Sequence, residues 1–176
     1  MIPTQHCPAN LLRLRPTGQA ASMLLYPQDD FRTWCRMYPP ETVYQQFAKM
    51  AALWKEGVAV FEKALRKVAS AKKSVADHDL AIMRTCYTHF QSTANQVEFY
   101  LLRAKLDHGP ERQVAIDRMR IIVQQEIELA KLQFQVTRTH STIAYEASNH
   151  YYYTPLGLVE KILNCRQILD EMGSNQ

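Results

Sequence analysis

The 176-residue chain predicts an all-α fold. The expected form is an antiparallel up-down bundle of three long helices and one shorter one, behind an irregular N-terminal segment. Three observations carry this. Two consecutive stretches place apolar residues at alternating spacings of three and four, the helical period. Only five glycines occur, which suits long helices better than a strand-and-turn architecture. The breaks between periodic stretches are short and hold helix-stop and helix-start residues, as in bundles with short loops.

Residues 1–28 show no periodicity and are interrupted by Pro3, Pro8, Pro16, Gly18 and Pro27. They read as an irregular, poorly ordered lead-in, leaving residues 29–173 as the bundle domain. Between Asp29 and Pro40, the large side chains of Phe31, Trp34, Met37 and Tyr38 predict a strap packed across the helices. Tyr38-Pro39-Pro40 then sets up a helix start, because a first-turn proline gives up an N–H that has no helical partner anyway.

The first helix is expected over about 41–70. Val43, Phe47, Met50, Trp54, Gly57, Phe61, Ala64 and Val68 form a heptad seam. The small residues Gly57 and Ala64 within it predict close helix approach. Ser74, with Asp77 three residues on, reads as an N-cap and a variant capping box. The second helix, about 75–106, repeats the pattern with Leu80, Met83, Tyr87, Phe90, Ala94, Val97, Leu101 and Ala104. Gly109-Pro110 supplies a stop and a start.

The third helix, about 110–139, lines one face with Ala115, Met119, Ile122, Leu129 and Val136, and Glu126 and Gln133 fall in the same stripe. A buried carboxylate needs a partner, so Glu126 either looks out at the bundle edge or pairs, with Arg103 and His150 as the first candidates. The fourth helix starts with Thr154 as N-cap and Pro155 at its first position. It faces inward through Leu158 or Val159, Ile162, Cys165 and Leu169, and Gly173 ends it.

The formal charge is +4, and the excess gathers in the first helix and the turn after it, where Lys63, Arg66, Lys67, Lys72 and Lys73 cluster. Cations there complement the negative end of the helix macrodipole. They are not interleaved with aromatics, so a nucleic-acid platform is not expected. Cys7, Cys35, Cys86 and Cys165 lack C-x-x-C spacing, which disfavours a zinc or redox site. Cys86 and Cys165 are expected as small buried apolar groups. The first residues lack the basic end and apolar run of a signal peptide, and no stretch approaches the roughly 20 apolar residues of a membrane span. The chain as given is expected in the cytoplasm, away from membranes.

Catalytic chemistry is hard to find. There is no Glu-x-x-His pair for a ferritin-like centre, and the lone spacing of Glu146 to His150 is too few ligands for a metal. A Gly-rich phosphate loop, a G-x-S-x-G elbow and an H-E-x-x-H are all missing. The scattered carboxylates identify no acid–base pair. No metal, cofactor or autonomous catalysis is expected.

One segment carries concentrated chemistry. Tyr145, Glu146, Asn149, His150, Tyr151, Tyr152 and Tyr153 fall within nine residues. Two readings stand side by side. The tyrosines cap the bundle end, with the polar groups bonding the backbone there. Alternatively Tyr145, Glu146, Asn149, His150, Tyr151 and Tyr153 contribute to a ligand surface, since aromatic faces beside carboxamide, carboxylate and imidazole suit polyhydroxylated ligands such as sugars.

The strings Ile143-Ala144-Tyr145-Glu146-Ala147-Ser148-Asn149-His150-Tyr151-Tyr152-Tyr153 and Leu158-Val159-Glu160-Lys161-Ile162-Leu163-Asn164-Cys165 carry a resemblance. So do Phe31-Arg32-Thr33-Trp34-Cys35, Tyr38-Pro39-Pro40-Glu41, Asn95-Gln96, Phe99 and Leu102-Arg103. Over residues 29–170 the chain resembles the C-terminal helical region of large bacterial proteins related to glycoside hydrolases. Their relatives of the β-hexosaminidase type carry a catalytic barrel first and a helical domain after it. The resemblance implies a fragment, the trailing domain without its barrel, and because catalytic carboxylates lie on the barrel it carries none over to this chain. Residues 1–28 do not look like a barrel end, which suggests a truncated or misread gene start.

The expected function is therefore a non-catalytic accessory domain of a carbohydrate-active enzyme. It would brace the missing catalytic domain and lend its tyrosine segment to the rim, with that domain or a carbohydrate as partner. The alternative is a stand-alone helical protein-interaction module.

Overall fold

The computed structural model describes residues 7–18, 29, 35, 37–106, 111–144 and 153–174. Among these are four α-helices and no strand: α1 (Pro40–Leu65), α2 (Lys73–Arg103), α3 (Arg112–Thr139) and α4 (Pro155–Ser174). Short 3₁₀ turns at Ser70–Lys72 and Ser141–Ala144 lie between them. The all-α bundle and its division into three long helices and one shorter one are as the periodicity predicts.

Each helix packs on the next in the chain, α1 on α2, α2 on α3 and α3 on α4. Cross-helix bonds fix the direction. Across α1 and α2, Glu62 meets Arg84 while Trp54 packs on Phe90. Between α2 and α3, Ser92 reaches Glu126 while Thr88 reaches Gln133. Between α3 and α4, Glu126 meets Lys161 and Arg120 meets the Met172 carbonyl. As residue numbers rise on one helix they fall on its neighbour, so successive helices are antiparallel.

α2 is the central element because it is buried on two faces. One face carries the predicted apolar seam and takes α1, where Phe90 packs its ring against Phe47 and Trp54 at centroid distances of 6.3 and 6.1 Å. The other face carries Thr85, Thr88, Ser92, Gln96 and Phe99, all buried, and takes α3. That second stripe is mostly polar and escapes a search for apolar period. α1 is held on one side only, and Ala51 is its single buried residue.

Several local expectations change. Residues 7–18 are no loose lead-in: Cys7 and Leu12 are buried in the core, and Asn10 is buried beside them. The prolines exclude helix, and the segment is instead held by side chains from α2 and α4. In the predicted strap over 29–40, Met37 and Tyr38 are 83% and 62% exposed and do not pack across the helices. Phe31 and Trp34 lie outside the described residues, as does Gly109-Pro110. Ser74 is not an N-cap. α2 grows directly out of the 3₁₀ turn before it, with Lys72 at the cap position and no side-chain cap bond. Gly57 does not mark a close approach either, since a Cβ there would meet only the Met83 Cε atom at 3.9 Å, and Ala64 is exposed. The α4 start holds as predicted: Thr154 Oγ1 accepts from the Gly157 N–H at 3.2 Å and Pro155 is the first helical residue.

The core has two apolar parts. One gathers Leu12, Cys35, Phe99, Met119, Ile122 and Ile168 with their neighbours; the other gathers Cys7, Ala130, Ala144, Tyr153 and Leu158. Between them, at matching levels of the N-terminal segment, α2, α3 and α4, runs a polar layer.

Candidate functional site

Of the six residues picked out for a ligand surface, Tyr145, Glu146, Asn149, His150 and Tyr151 lie outside the described residues. Tyr153 is described and is turned into the bundle. It is buried within the second apolar cluster. Its hydroxyl is hydrogen-bonded to His89 Nδ1 of α2 at 2.7 Å, and the two rings meet edge to face. At this position the geometry is that of a capping tyrosine with a satisfied hydroxyl, not of an open sugar-facing ring.

The densest chemistry among the described residues is the polar layer. Lys161 of α4 and Glu126 of α3 form an ion pair of 2.9 Å, both side chains wholly buried. Glu126 also accepts from Ser92 Oγ at 2.8 Å and from Asn95 Nδ2 at 2.9 Å. Lys161 Nζ donates a second bond to the Asn10 carbonyl oxygen. Gln96 Nε2 donates to Ser92 Oγ and to the Cys7 carbonyl, and its Oε1 accepts from Asn10 Nδ2. Glu126 thus sits in the core on a four-element network. Of the two expected partners, Arg103 is instead committed to Asp29, and His150 lies outside the described residues. Lys161 escaped the sequence reading because a lysine is ordinarily taken as solvent-facing. Its spacing held the signal, since Leu158, Lys161, Cys165, Ile168 and Met172 recur at 3-4-3-4.

Such a network can hold elements in register. Its members are bonded to one another and sealed from water, with one exception: the Asn10 Oδ1 atom is buried with no hydrogen-bond partner among the described residues. The surrounding thiols are quenched. Burial pushes the Cys7 thiol up to about 11, and burial pushes Cys165 up to about 12, so neither is a nucleophile at neutral pH. No group of three or more His, Cys, Asp or Glu among the described residues is placed to hold a metal ion.

A second set of contacts runs along residues 10–17. Asn164 of α4 takes both backbone groups of Leu12, its Oδ1 accepting from the amide at 2.8 Å and its Nδ2 donating to the carbonyl at 3.1 Å. The Arg13 amide donates to Tyr100 Oη at 3.3 Å, and Arg103 donates to the Arg13 carbonyl at 2.8 Å. Arg103 also grips Asp29 at 3.0 Å, and Asp29 accepts from the Thr17 amide and hydroxyl.

The outer surfaces are less satisfied. On α4, Leu156, Val159 and Leu163 are 69%, 39% and 58% exposed, at i, i+3 and i+7 on one face. On α1, Met50, Leu53 and Val60 form a similar exposed row. An open groove of about 700 Å³ between α1, α2 and α3 is lined by Lys55, Tyr87, Gln91, Arg120 and Ile121 among others. Its mixed lining brings together no evident set of reacting groups. Among the described residues no helix is long and apolar enough to cross a membrane. No protein-family model, curated protein or solved structure matches the chain.

Proposed function

We propose that this chain is a non-catalytic helical module that braces another protein domain, and that this domain is the catalytic barrel of a carbohydrate-active, glycoside-hydrolase-like enzyme. The observation that supports it most is the row Leu156, Val159 and Leu163 on α4. An amphipathic helix normally turns such a row inward, and α4 already has a complete inward seam. A second apolar row facing solvent suits helix-to-partner docking. It follows directly on the tyrosine segment, where a barrel rim would sit under the family resemblance. Burying one such leucine against a partner is worth about 1.5–3 kcal/mol.

The test is a titration of the chain against a separately expressed β-hexosaminidase-type catalytic barrel, with Leu163→Lys and Leu156→Lys variants. Both substitutions fall on exposed sites and should leave the fold intact, which circular dichroism checks. The expected result is complex formation by the parent chain and at least tenfold weaker binding by each variant. Equal binding by parent and variants, or no complex, sinks the reading.

The row Met50, Leu53 and Val60 favours the second reading, a stand-alone protein-interaction module, because it is a second exposed apolar row on a different helix, α1. Partner binding lost in Leu53→Lys and retained in Leu163→Lys would select it.

A further inference from the structure

The way residues 7–14 are held has a consequence beyond a bracing role. An ordinary terminal segment packs through its side chains. Here the α2 and α4 side chains read its backbone as well. Gln96 takes the Cys7 carbonyl, Lys161 the Asn10 carbonyl, Asn164 both groups of Leu12, and Tyr100 with Arg103 both groups of Arg13. The segment turns once, with the Asn10 amide bonding the Cys7 carbonyl at 2.9 Å, and then has no regular secondary structure through Arg13. Clamps on the main chain are the device by which proteins hold extended peptides, and alternate side-chain pockets supply the selectivity. Two deep pockets are filled here, by Cys7 and Leu12, each 1% exposed.

Two further features suit exchange. The bound segment does not fill its groove. A space of about 760 Å³ remains beside Leu12, Arg13, Leu14 and Arg15, walled on the α4 side by Gln167, Asp170 and Glu171. That wall is acidic where the segment is basic. The occupant is also imperfect, since Asn10 Oδ1 is buried without a bond among the described residues and an unmade buried bond costs free energy.

The geometry points to the α2–α4 groove as a receptor for an extended peptide of a partner protein. That peptide carries a small residue, then a hydroxyl or carboxamide residue three positions on, then leucine two positions further, followed by arginine or lysine. Residues 7–14 occupy the groove in cis and compete with it. Serine in the middle position removes the orphaned carbonyl, so a serine-bearing peptide tests whether that atom weakens the chain's own segment. None of Leu156, Val159 and Leu163 lines this groove, so peptide capture and bracing are independent of each other.

The test uses the full chain and a fluorescent peptide copying residues 7–18, read by anisotropy, with the same peptide carrying serine for Asn10 and a scrambled peptide as comparisons. A tethered segment has an effective concentration of the order of millimolar, so the parent chain should bind weakly. Leu12→Ala weakens the cis occupant and should raise affinity for the free peptide at least tenfold. Adding Asn164→Ala should reverse that gain. The serine peptide should bind at least threefold tighter than the parent peptide. In the parent chain, alkylation of Cys7 should accelerate in step with peptide occupancy, because displacement uncovers its thiol. Leu163→Lys should leave all of this unchanged. Equal binding of the scrambled peptide, no gain in a folded Leu12→Ala chain, or Cys7 alkylation indifferent to peptide would each overturn the proposal. So would a Leu12→Ala chain that is unfolded by circular dichroism, since the segment would then be an inseparable part of the core.

Discussion

Lys161 Nζ stands 2.9 Å from Glu126 Oε2, and neither side chain has any exposed surface. The two helices that carry them, α3 and α4, meet there with the N-terminal segment, through the Asn10 carbonyl, and with α2, through Ser92 and Asn95. Taking two charges out of water is costly, and such a pair offers little net stability over a well-packed apolar one. Its value is register: with one partner shifted by a helical turn, a bare charge would be left in the core.

That asymmetry is measurable. Lys161→Met leaves the Glu126 carboxylate buried without its cation and should cost about 3–5 kcal/mol in urea unfolding. Adding Glu126→Gln removes the stranded charge while keeping an acceptor for Ser92 or Asn95, and should recover about 1–2 kcal/mol. A double variant less stable than Lys161→Met alone would show that the pair is not coupled as the geometry requires.

Gly57 invites the opposite change. It lies mid-helix in α1, its backbone is helical, and a methyl group would meet nothing nearer than the Met83 Cε atom at 3.9 Å. Glycine in a helix interior is about 0.5–1 kcal/mol worse than alanine. Gly57→Ala should therefore raise the unfolding free energy by about that amount. A loss of stability would mean that α1 and α2 approach more closely than the structure has them.

The thiols test burial directly. Four free cysteines are present, and burial holds Cys7 near 11 and Cys165 near 12. At pH 8 only about one Cys7 in a thousand is thiolate. Cys86 is partly exposed and, although burial raises it too, should react first with Ellman's reagent. Cys7 and Cys165 should lag by at least a hundredfold, on the order expected for protected thiols, and all four should react at once in urea. Early reaction of Cys165 would contradict the packing of α4.

Much of this architecture was legible because apolar period is a direct record of which helix face leaves water. The α1-facing seam of α2, the α3 stripe of Ala115, Met119, Ile122, Leu129 and Val136, and Val43, Phe47 and Trp54 of the α1 seam could be read in that way. Met50 and Ala64 of that seam are instead exposed, and Val68 lies past the helix end. What could not be read was burial of polar groups. Thr88, Ser92 and Gln96 are as buried as Val97, but hydropathy assigns them to solvent, because only their partners on other helices make burial tolerable. Glu126 was recognisable as a misfit in its stripe, yet naming Lys161 needed the α3–α4 packing. The N-terminal segment failed for a related reason. Its order comes from backbone clamps such as Asn164, 152 residues away from Leu12, and proline-rich sequence carries no trace of them. The tyrosine segment remains a matter of resemblance apart from Tyr153, whose bond to His89 needed the α2 coordinates.

Acid should loosen the N-terminal segment through Asp29. Burial pushes its carboxyl up, but the two bonds from Thr17 and the Arg103 guanidinium outweigh this and hold it below the ordinary carboxylate value. A carboxyl lowered on folding gives stability that is fully present above its unfolded pKa, about 3.9, and is lost as pH falls through the folded value. Asp29→Asn keeps the shape and one acceptor for Thr17 but cannot titrate. The stability difference between parent and Asp29→Asn should be constant from about pH 5 to 7 and shrink between about pH 4 and 2. Urea midpoints across that range measure it. Because Arg103 also donates to the Arg13 carbonyl at 2.8 Å, the same acid transition should speed alkylation of the unfolding-sensitive Cys7 site relative to Cys165, after correction for the thiolate fraction. A parent-minus-variant difference that does not change with pH would mean that Asp29 is not the anchor of this segment.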